Sequence, residues 1–227
     1  MTESRRERHR KATYQEILET ARQQIKSSGA AALSLRAIAR EMRMTAPALY
    51  RYFDNRDALV TALIALGYRS LGKALSEALD TIPVDDPTIE LMAVGMAYRR
   101  WGIENPELYT LIFGTPIPGY EAPAEITEPL ARHALGVLID ILDAGARSGK
   151  IKLPIQDIHL HPDLVEKLPD PEGSKAAIQM ALHLWGFVHG LTSLELFNHY
   201  QTLLMDPEEL FVSSLNQTLQ LLKNKGN

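Results

Sequence analysis

The sequence has no cysteine and few aromatic residues, which make up 7% of its 227 residues. Without thiols the chain has no disulfide, no thiolate metal site and no cysteine nucleophile. The charged N-terminus MTESRRERHRK is not followed by the apolar segment of a signal peptide. The uncharged run Ala58–Tyr68 has eleven residues, whereas a membrane-spanning helix needs about 20. We therefore expect a soluble, cytoplasmic protein with no membrane partner.

Charge is distributed unevenly along the chain. Residues 1–60 carry 12 lysines and arginines against 7 acidic residues, whereas the remaining 167 residues carry 12 against 21. A basic first quarter on an acidic remainder indicates that one end of the molecule meets a polyanion such as nucleic acid. Solvated basic tails are also common, so charge alone leaves both interpretations open.

Apolar residues recur with helical spacing through most of the sequence. The i, i+3, i+4, i+7 pattern from Tyr14 to Ile25 predicts a first helix over about residues 10–28, which Gly29 ends. No strand alternation or internal repeat accompanies it, so the fold class is predicted to be all-α, with about nine helices. After two short helices capped by Ser34 and Thr45, the pattern predicts helices near residues 55–80, 88–104, 106–113, 124–148, 174–199 and 207–223.

The two short helices indicate a DNA-binding unit. Each is about two turns long and would be marginal in water without packing on the first helix. Three small helices with a tight turn before the last are typical of a helix-turn-helix. On the third helix Leu49 and Phe53 lie four residues apart and can face inward. The residues then left toward solvent are Ala46, Pro47, Ala48, Tyr50 and Arg51.

These exposed residues suit duplex DNA. Small residues at the helix start let the backbone approach the floor of a major groove, and Arg51 can reach guanine O6/N7 or a phosphate. Tyr50 and Tyr52 can donate hydrogen bonds to phosphates on opposite walls of the groove. Arg56 and Arg36, each in the first turn of a helix, add positive charge for phosphate contacts. The alternative is that the tyrosines simply cover a small core.

The N-terminal segment resembles the signature of TetR-type (tetracycline-repressor-like) transcriptional regulators. The signature is spread through ILETARQQIKSSGAAALSLRAIAREMRMTAPALYRYFDNRDALV, and its most specific part is ALYRYF followed by NRDAL. The resemblance implies phosphate contacts at Tyr50, Tyr52 and Arg56. It implies base-facing positions at Arg36, Thr45, Ala46, Pro47, Ala48 and Arg51. We accordingly divide the chain into an N-terminal arm and helix-turn-helix domain, residues 1–55, and a larger helical effector-binding and dimerisation domain, residues 56–227.

Two features of the DNA-binding segment leave questions open. The family usually has glycine in the tight turn, where this sequence has Arg43; a positive φ there would cost on the order of 1 kcal/mol. The basic arm either enters a minor groove or only raises nonspecific affinity. Flexibility favours the second role, because a mobile arm contributes charge without needing a defined shape. The arm contains Arg5, Arg6, Arg8, His9, Arg10 and Lys11.

The C-terminal part contains a second resemblance. YRRWGIENPELYTLIFGTP and LWGFVHGLTSLEL resemble ligand domains marked by a Trp-x3-His-Gly motif, here Trp185, His189 and Gly190. Rigid apolar walls with one or two polar points are what a small-molecule site needs. An ordinary helical core with His189 bonded to a backbone carbonyl explains the same residues. The candidate ligand pocket consists of Tyr98, Trp101, Phe113, Trp185 and His189.

Two polar groupings are weak metal candidates. His159 and His161 alternate with aspartates in a proline-bearing loop, but alternate residues without thiolates rarely suffice for a metal. Glu195 and His199 lie four residues apart on one predicted helix, where pairing with each other is favoured over a metal. We predict neither a metal site nor a cofactor.

The last two helices carry more apolar surface than a terminal hairpin needs. A homodimer built as a four-helix bundle, with two helices from each chain, would bury it, and the family resemblance implies the same. Two-fold symmetry would place two recognition helices about 34–36 Å apart and predict a near-palindromic operator. The apolar residues are Leu182, Leu194, Phe197, Leu203, Leu204, Leu210, Phe211, Leu215, Leu219 and Leu222.

Three functions were compared on this basis. The favoured one is a ligand-responsive DNA-binding transcriptional regulator, a repressor that a small molecule releases from double-stranded DNA. An architectural DNA-binding protein that senses nothing is the alternative, and the large acidic C-terminal part argues against it. An all-α enzyme is disfavoured, since no catalytic triad order, phosphate loop or H-E-x-x-H motif is present.

Overall fold

The computed structural model describes residues 4–83, 85–154, 159–161 and 171–223, the last range without the side chains of residues 171–174. Within these residues the chain is all-α, as predicted, and forms nine α-helices and one 3₁₀ turn, Ala30–Ala32. The helices are α1 (Arg5–Ser28), α2 (Leu35–Glu41), α3 (Ala46–Tyr50), α4 (Arg56–Asp80), α5 (Pro87–Glu104), α6 (Pro106–Phe113), α7 (Ala124–Arg147), α8 (Pro171–Leu196) and α9 (Pro207–Gln220).

The chain packs as two compact units. The first unit comprises residues 1–69 and 105–130, and the second comprises residues 70–104 and 131–227. Both units take residues from α4 and from α7. The predicted boundary between functional domains at residue 55 stays a prediction, because the compact units divide the chain after residues 69, 104 and 130.

Local hydrogen bonds explain where the helices begin. At α2 and α3 the predicted caps are present, with Ser34 Oγ accepting from the Ala37 N–H and Thr45 Oγ1 from the Ala48 N–H, both at 3.4 Å. At α4, Asn55 Oδ1 accepts from the Ala58 N–H at 2.8 Å, and the helix begins at Arg56, one residue after the predicted start.

The core of the first unit is one apolar cluster contributed by α1 to α4. It has the helical spacing that the sequence indicated, with the inward face of α1 supplying four of its members. Burial of this face stabilises α2 and α3, which are too short to persist alone. The cluster consists of Ile17, Leu18, Ala21, Ile25, Leu33, Leu35, Ile38, Ala39, Leu49, Phe53, Leu59, Val60, Leu63 and Ile64.

A charged contact holds α6 against α1 in the first unit. Arg22 donates from Nε and from one terminal nitrogen to Glu107 Oε1, at 2.8 and 2.6 Å. The same terminal nitrogen lies 3.2 Å from Asn105 Oδ1, at the start of α6. The Glu107 side chain is only 5% exposed, so its carboxylate depends on Arg22 for compensation. No sequence pattern indicates this pair, whose members are 85 residues apart.

The second unit is built around α5, which packs on α8 and α9. Arg99 on α5 is buried and donates to both carboxylate oxygens of Glu195 at 2.7 Å, while its remaining terminal nitrogen reaches Glu208 at 2.6 Å. Desolvation opposes the charge of Arg99, but the two carboxylates outweigh it and raise its pKa. The predicted pairing of Glu195 with His199 was therefore wrong, because Arg99 occupies the carboxylate.

Helix α4 is apolar for a structural reason. By length and composition it is apolar enough to cross a membrane, with a mean hydropathy of 1.3 over its most apolar window. More than half of that window, 56%, is buried inside the protein. Its hydropathy is thus that of a core helix, with Leu59, Val60 and Leu63 fully buried.

Candidate nucleic-acid interface and ligand site

Helix α3 is held in the first unit by the two residues predicted to face inward. Leu49 is fully buried and Phe53 is 4% exposed, with the Phe53 ring stacked 5.1 Å from that of Tyr14 on α1. The helix has only five residues. These anchors consequently determine which side chains it presents to solvent.

Most of the predicted DNA-contacting residues lie at the surface of the first unit. Arg36, Thr45, Pro47, Tyr50 and Arg51 are exposed. The remaining residues of this region are half-buried: Ala46, Ala48 and Tyr52. Tyr50 is 41% exposed, whereas Tyr52 packs against the apolar cluster. The two tyrosines therefore differ in burial. Of the two, only Tyr52 covers the core, which was the alternative role considered for both.

Arg56 has a different environment from the one expected of a phosphate clamp. Its guanidinium donates to the carbonyl oxygens of Ala30 and Ala31, at 3.1 and 3.3 Å, and lies 3.7 Å from the Asp57 carboxylate. Those carbonyls belong to the 3₁₀ turn that links α1 to α2. Arg56 thus stabilises this turn, and no sequence pattern predicts that contact.

The turn before α3 adopts the geometry that normally favours glycine. Arg43 has a φ of 54°, in the left-handed region. The Met44 N–H donates to the Ala39 carbonyl at 2.8 Å and the Arg43 N–H donates to the Arg40 carbonyl at 3.2 Å. This pair of bonds is a Schellman motif. The turn therefore keeps its full hydrogen bonding, and arginine takes the position at a conformational cost.

The basic N-terminal segment is helical, which corrects the flexible arm of the sequence analysis. Ser4 Oγ accepts from the Glu7 N–H at 3.2 Å, and Glu7 Oε2 accepts from the Ser4 N–H at 2.8 Å, forming a capping box. The hydrogen bonds from Ser4 lower the pKa of Glu7 below its ordinary value, so the cap is charged at neutral pH. Helix α1 consequently begins at Arg5 instead of near Arg10.

The start of α1 and the α2–α3 segment face each other across a groove of about 910 Å³. Arg51, on the predicted recognition helix, lines this groove together with arginines of the basic N-terminal segment. Its α1 wall consists of Arg6, Glu7, His9, Arg10, Thr13 and Glu16. Its opposite wall consists of Met42, Met44, Ala48, Arg51 and Tyr52.

Four of the five predicted pocket residues lie in the second unit. Tyr98 and Trp101 are buried on α5, and Trp185 and His189 are half-buried on α8. The Tyr98 hydroxyl lies 3.0 Å from His189 Nδ1, so a hydroxyl is one hydrogen-bond partner of the imidazole. Its other nitrogen, Nε2, lies 3.4 Å from Ser193 Oγ. Burial lowers the pKa of His189, which favours the neutral ring.

The fifth predicted pocket residue, Phe113, belongs to the first unit, and its place in the pocket stays a prediction. It lies on α6, where its ring centroid is 6.2 Å from that of Tyr68 and 5.2 Å from that of Tyr109. In the second unit, the Trp101 indole N–H donates to Ser70 Oγ at 3.0 Å.

A small apolar cavity lies beside the Tyr98–His189 pair. Its volume is about 20 Å³, roughly the room that one water molecule needs. Of the predicted pocket residues, Tyr98 and Trp185 line this cavity. The other lining residues are Leu75, Leu91, Val94, Gly95, Leu138, Leu184, Val188 and Leu215. As it stands, the cavity is too small for an organic ligand.

The predicted dimer surface is partly used within the second unit. Phe211, Leu215, Leu219 and Leu222 are buried in this unit, so they are not available to a partner. Leu204 and Leu210 are half-buried. The predicted residues that stay exposed are Leu182, Leu194, Phe197 and Leu203.

The metal candidates gain no support. Among the residues that the structure describes, no group of three or more histidine, aspartate or glutamate side chains has the arrangement of a metal site. Asp157 and Asp163, the aspartates near His159 and His161, lie outside the described residues.

Comparison with protein families places both parts of the chain. The model of the tetR family of bacterial regulatory proteins matches residues 17–63. The model of the tetracyclin repressor-like C-terminal domain matches residues 91–217. The two matches fall on the helix-turn-helix segment and on most of the remaining helices.

Individual proteins agree with the family models. The HTH-type transcriptional regulator Rv1816 of Mycobacterium tuberculosis (strain ATCC 25618 / H37Rv) is 35% identical over 201 residues, covering 86% of each chain. The crystal structure of SCO4313 is 37% identical, with a TM-score of 0.75 over 95% of this chain and 98% of that one. The regulator FadR of Bacillus subtilis, solved with stearoyl-CoA, has a TM-score of 0.65 at 17% identity, over 94% of this chain and 100% of that one.

The similarity to Rv1816 and the family match over residues 91–217 extend well beyond the helix-turn-helix. At 17% identity, FadR supports the fold alone. No enzyme is named among these relatives. The chain belongs to the TetR family and is a DNA-binding transcriptional regulator, not an enzyme.

Proposed function

We propose that this regulator is a cytoplasmic repressor that binds a near-palindromic operator as a homodimer and is released by a small molecule. The DNA-binding face is inferred from the way α3 packs on the first unit. Leu49 and Phe53 are buried, whereas Thr45, Pro47 and Arg51 are exposed, and Arg51 lines the groove.

Within this face we assign two kinds of contact. Thr45, Ala46, Pro47 and Ala48 form the narrow start of α3 and suit close approach to base edges. Arg51 lies beside them and is the candidate for guanine. Phosphate contacts are assigned to Tyr50 and Tyr52, with Arg36 as a further exposed cation. Because Arg56 is bonded to Ala30 and Ala31, we give it a supporting role in this proposal.

The assignment is tested by titrating labelled duplexes in fluorescence anisotropy. The specific duplex is the DNA upstream of the protein's own gene, and the comparison is a scrambled duplex of equal length. Tyr50→Phe should weaken binding to both duplexes by a similar factor, because it removes a phosphate contact. Arg51→Ala should reduce the ratio of specific to scrambled affinity by roughly 5- to 150-fold, the equivalent of 1–3 kcal/mol. If neither change affects binding, α3 does not read DNA.

For the effector site we propose the region around the small cavity. It has apolar walls with one polar group, the Tyr98–His189 pair, and this composition suits an apolar molecule with one hydrogen-bonding group. Since its present volume admits about one water, binding must enlarge the cavity. Leu75 of α4 lines it, and α4 continues along the chain from residues of the first unit. An effector that displaces Leu75 would thereby bias a helix shared by both units.

A thermal-shift screen of apolar carboxylic acids, acyl thioesters and aromatic compounds tests the effector site. An effector should raise the melting temperature and weaken operator binding. Leu184→Trp, which fills the cavity, should abolish both responses while operator binding persists. An effector response that survives Leu184→Trp would place the site elsewhere.

The proposed dimer uses the exposed faces of α8 and α9. Leu182 and Leu194 are 40% and 42% exposed on α8, with Gly186 and Gly190 at the intervening i+4 positions. A Cβ added to either glycine would meet nothing within 4 Å. Glycine costs about 1 kcal/mol in a helix, and packing among the residues that the structure describes gives no reason for either glycine. Close approach of a second copy would explain both glycines.

Sedimentation equilibrium with a bulky glycine replacement tests this interface. Gly186→Leu should convert a dimer into a monomer with an intact fold. The matched control is Gly136→Leu on α7, since Gly136 also has open space at its Cβ position; it should leave the dimer intact. A Gly186→Leu protein that remains dimeric would exclude this face of α8.

The alternative, an architectural protein without sequence preference, is distinguished by salt dependence. A purely electrostatic binder should lose affinity for specific and scrambled duplexes in parallel as salt rises. A sequence-reading regulator should keep a preference for its own upstream DNA at about 0.2 M salt.

A further inference from the structure

We propose that the first turns of α1 form a fixed second wall of the DNA-binding groove, in which Arg6 and Arg10 hold the sugar-phosphate backbone of the duplex that α3 reads. The inference rests on the proposed DNA-binding function of α3. It assigns DNA contacts to residues outside the helix-turn-helix and gives them a fixed position.

The first step is that the charges are ordered. The capping box of Ser4 and Glu7 begins the helix at Arg5, so the basic residues belong to the same continuous helix as Ile17 and Leu18 of the core. A disordered arm would have to lose conformational entropy on binding for each residue that becomes fixed. A preformed helix avoids this cost.

The second step is that only some of the basic residues of α1 lie on the face that lines the groove. Arg6, Arg10 and Thr13 follow the i, i+4, i+7 pattern of a single face, and all three line the groove opposite Ala48 and Arg51. Arg8 and Lys11, on the same helical turns, do not line it. Among the residues that the structure describes, Arg6 and Arg10 have no acidic partner within ion-pair distance.

The third step is the identity of the occupant. The groove brings Arg6, Arg10 and Arg51 to one concave surface, and its acidic members are Glu7, which the Ser4 cap already engages, and Glu16. Its volume of about 910 Å³ and its open form suit a polymer more than an enclosed small molecule. Because one wall is the predicted recognition helix, the polyanion that fits is the backbone of the same duplex.

Two double variants of equal charge test the proposal. Arg6→Ala/Arg10→Ala removes two cations from the groove face, and Arg8→Ala/Lys11→Ala removes two from the remaining faces of the same turns. Affinity for the upstream duplex is measured by anisotropy between about 50 and 200 mM salt. The groove variant should lose roughly 10- to 100-fold in affinity. The magnitude of the slope of log K against log salt should fall by about 2 for each protomer, or about 4 for the proposed dimer. The control should lose less than about threefold and lower the slope by less than about 1.

Equal losses in the two variants would overturn the proposal, because they would mean that the segment acts only as diffuse positive charge. A groove variant that binds like the wild type would overturn it too. Circular dichroism checks that both variants retain α1. If Tyr50→Phe and Arg51→Ala impair binding while the groove variant does not, the proposed function stands and this inference fails. If the wild type binds no duplex, both fail.

A variant that keeps every charge provides the second test. Ala12→Pro interrupts α1 between the basic turns and Ile17, because proline removes a helical hydrogen bond and clashes with the preceding turn. Ala12 is exposed, so the core is unaffected. The variant should lose about 10-fold or more in affinity although its net charge is unchanged. Wild-type affinity in Ala12→Pro would show that a flexible arm serves equally well and would overturn the proposal.

Discussion

The two units differ in where their informative residues lie. In the first unit, α3 buries Leu49 and Phe53 and presents its polar residues to solvent. In the second unit, the distinctive residues Tyr98, Trp101 and His189 are turned inward and hydrogen-bonded to Ser70, Ser193 and one another. A surface for DNA can exist ready-made, because its partner comes from outside. A buried site for a small molecule must compete with the core packing that fills it.

The largest expected effect comes from removing the main anchor of α3. Leu49→Ala should lower the free energy of unfolding by about 2–5 kcal/mol, the usual cost of emptying a fully buried leucine site, and abolish specific DNA binding. Urea unfolding and anisotropy measure the two quantities. Leu142→Ala is the matched change in the second unit, since Leu142 is also 0% exposed.

Leu142→Ala should cost a similar free energy of unfolding, while the folded protein keeps its DNA affinity within about threefold, a difference under 1 kcal/mol. If it abolishes DNA binding as fully as Leu49→Ala while remaining folded, the contrast between the units does not hold.

The next effect concerns the contact that joins α6 to α1. Glu107→Gln keeps the side-chain shape but removes the charge that Arg22 meets, and should cost about 1.5–3 kcal/mol, as for a buried hydrogen bond to a charged group. Glu19→Gln changes the other carboxylate near the same arginine, 54% exposed and 3.2 Å away; it should cost less than about 1 kcal/mol. Equal costs in urea unfolding would mean that burial of Glu107 is unimportant.

A smaller effect compares two left-handed residues, one in each unit. Arg43 and Asn198 have φ values of 54° and 63°. Arg43→Gly should raise the free energy of unfolding by about 0.5–1 kcal/mol, since relief of the left-handed strain exceeds the added entropy of the unfolded chain. Asn198→Gly should gain less than half of that, because asparagine tolerates this conformation. A larger gain at Asn198, measured by urea unfolding, would contradict the assigned strain at Arg43.

The smallest effect is the pH dependence that His189 contributes. Burial lowers its pKa in the folded protein, while the unfolded chain titrates near 6.5. As the pH falls through about 6.5, the unfolded chain binds more protons, so the stability that the neutral ring provides at higher pH is progressively lost. His189→Gln should therefore show a shallower loss of unfolding free energy between about pH 7.5 and 5.5.

Tyr98→Phe serves as the control for this measurement. It removes the 3.0 Å hydroxyl contact but leaves the imidazole buried, and it should keep the wild-type pH slope. Loss of the slope in Tyr98→Phe would mean that the hydrogen bond, rather than burial, sets the pKa of His189.

Much of the first unit was predictable because its signals are local. Ser34 and Thr45 cap the helices that they were expected to cap, and Leu49 lies inward four residues before Phe53. The sequence left the conformation at Arg43 open, and the structure gives this residue a φ of 54°. The helical start of α1 was missed although Ser4 and Glu7 form a readable capping box, because the dense charge of residues 5–11 was interpreted as a mobile arm.

The second unit and the long-range contacts were less predictable. Glu195 was paired with His199 on its own predicted helix. The structure pairs Glu195 with Arg99, 96 residues away. Helical spacing identifies neighbours three or four residues apart, but it carries no information on which distant helix packs against a given face.

Local sequence signals were sufficient to predict most of the helices, the Ser34 and Thr45 caps and the inward residues of α3, because these depend on interactions within a few residues. Three arrangements became visible in the tertiary structure alone. Arg56 stabilises the Ala30–Ala32 turn, and Arg22 pairs with Glu107. Arg6 and Arg10 line the groove together with Arg51. Those arrangements depend on how helices distant in the chain pack together to bury apolar surface. That packing reflects the shape of the whole core, which no short segment specifies.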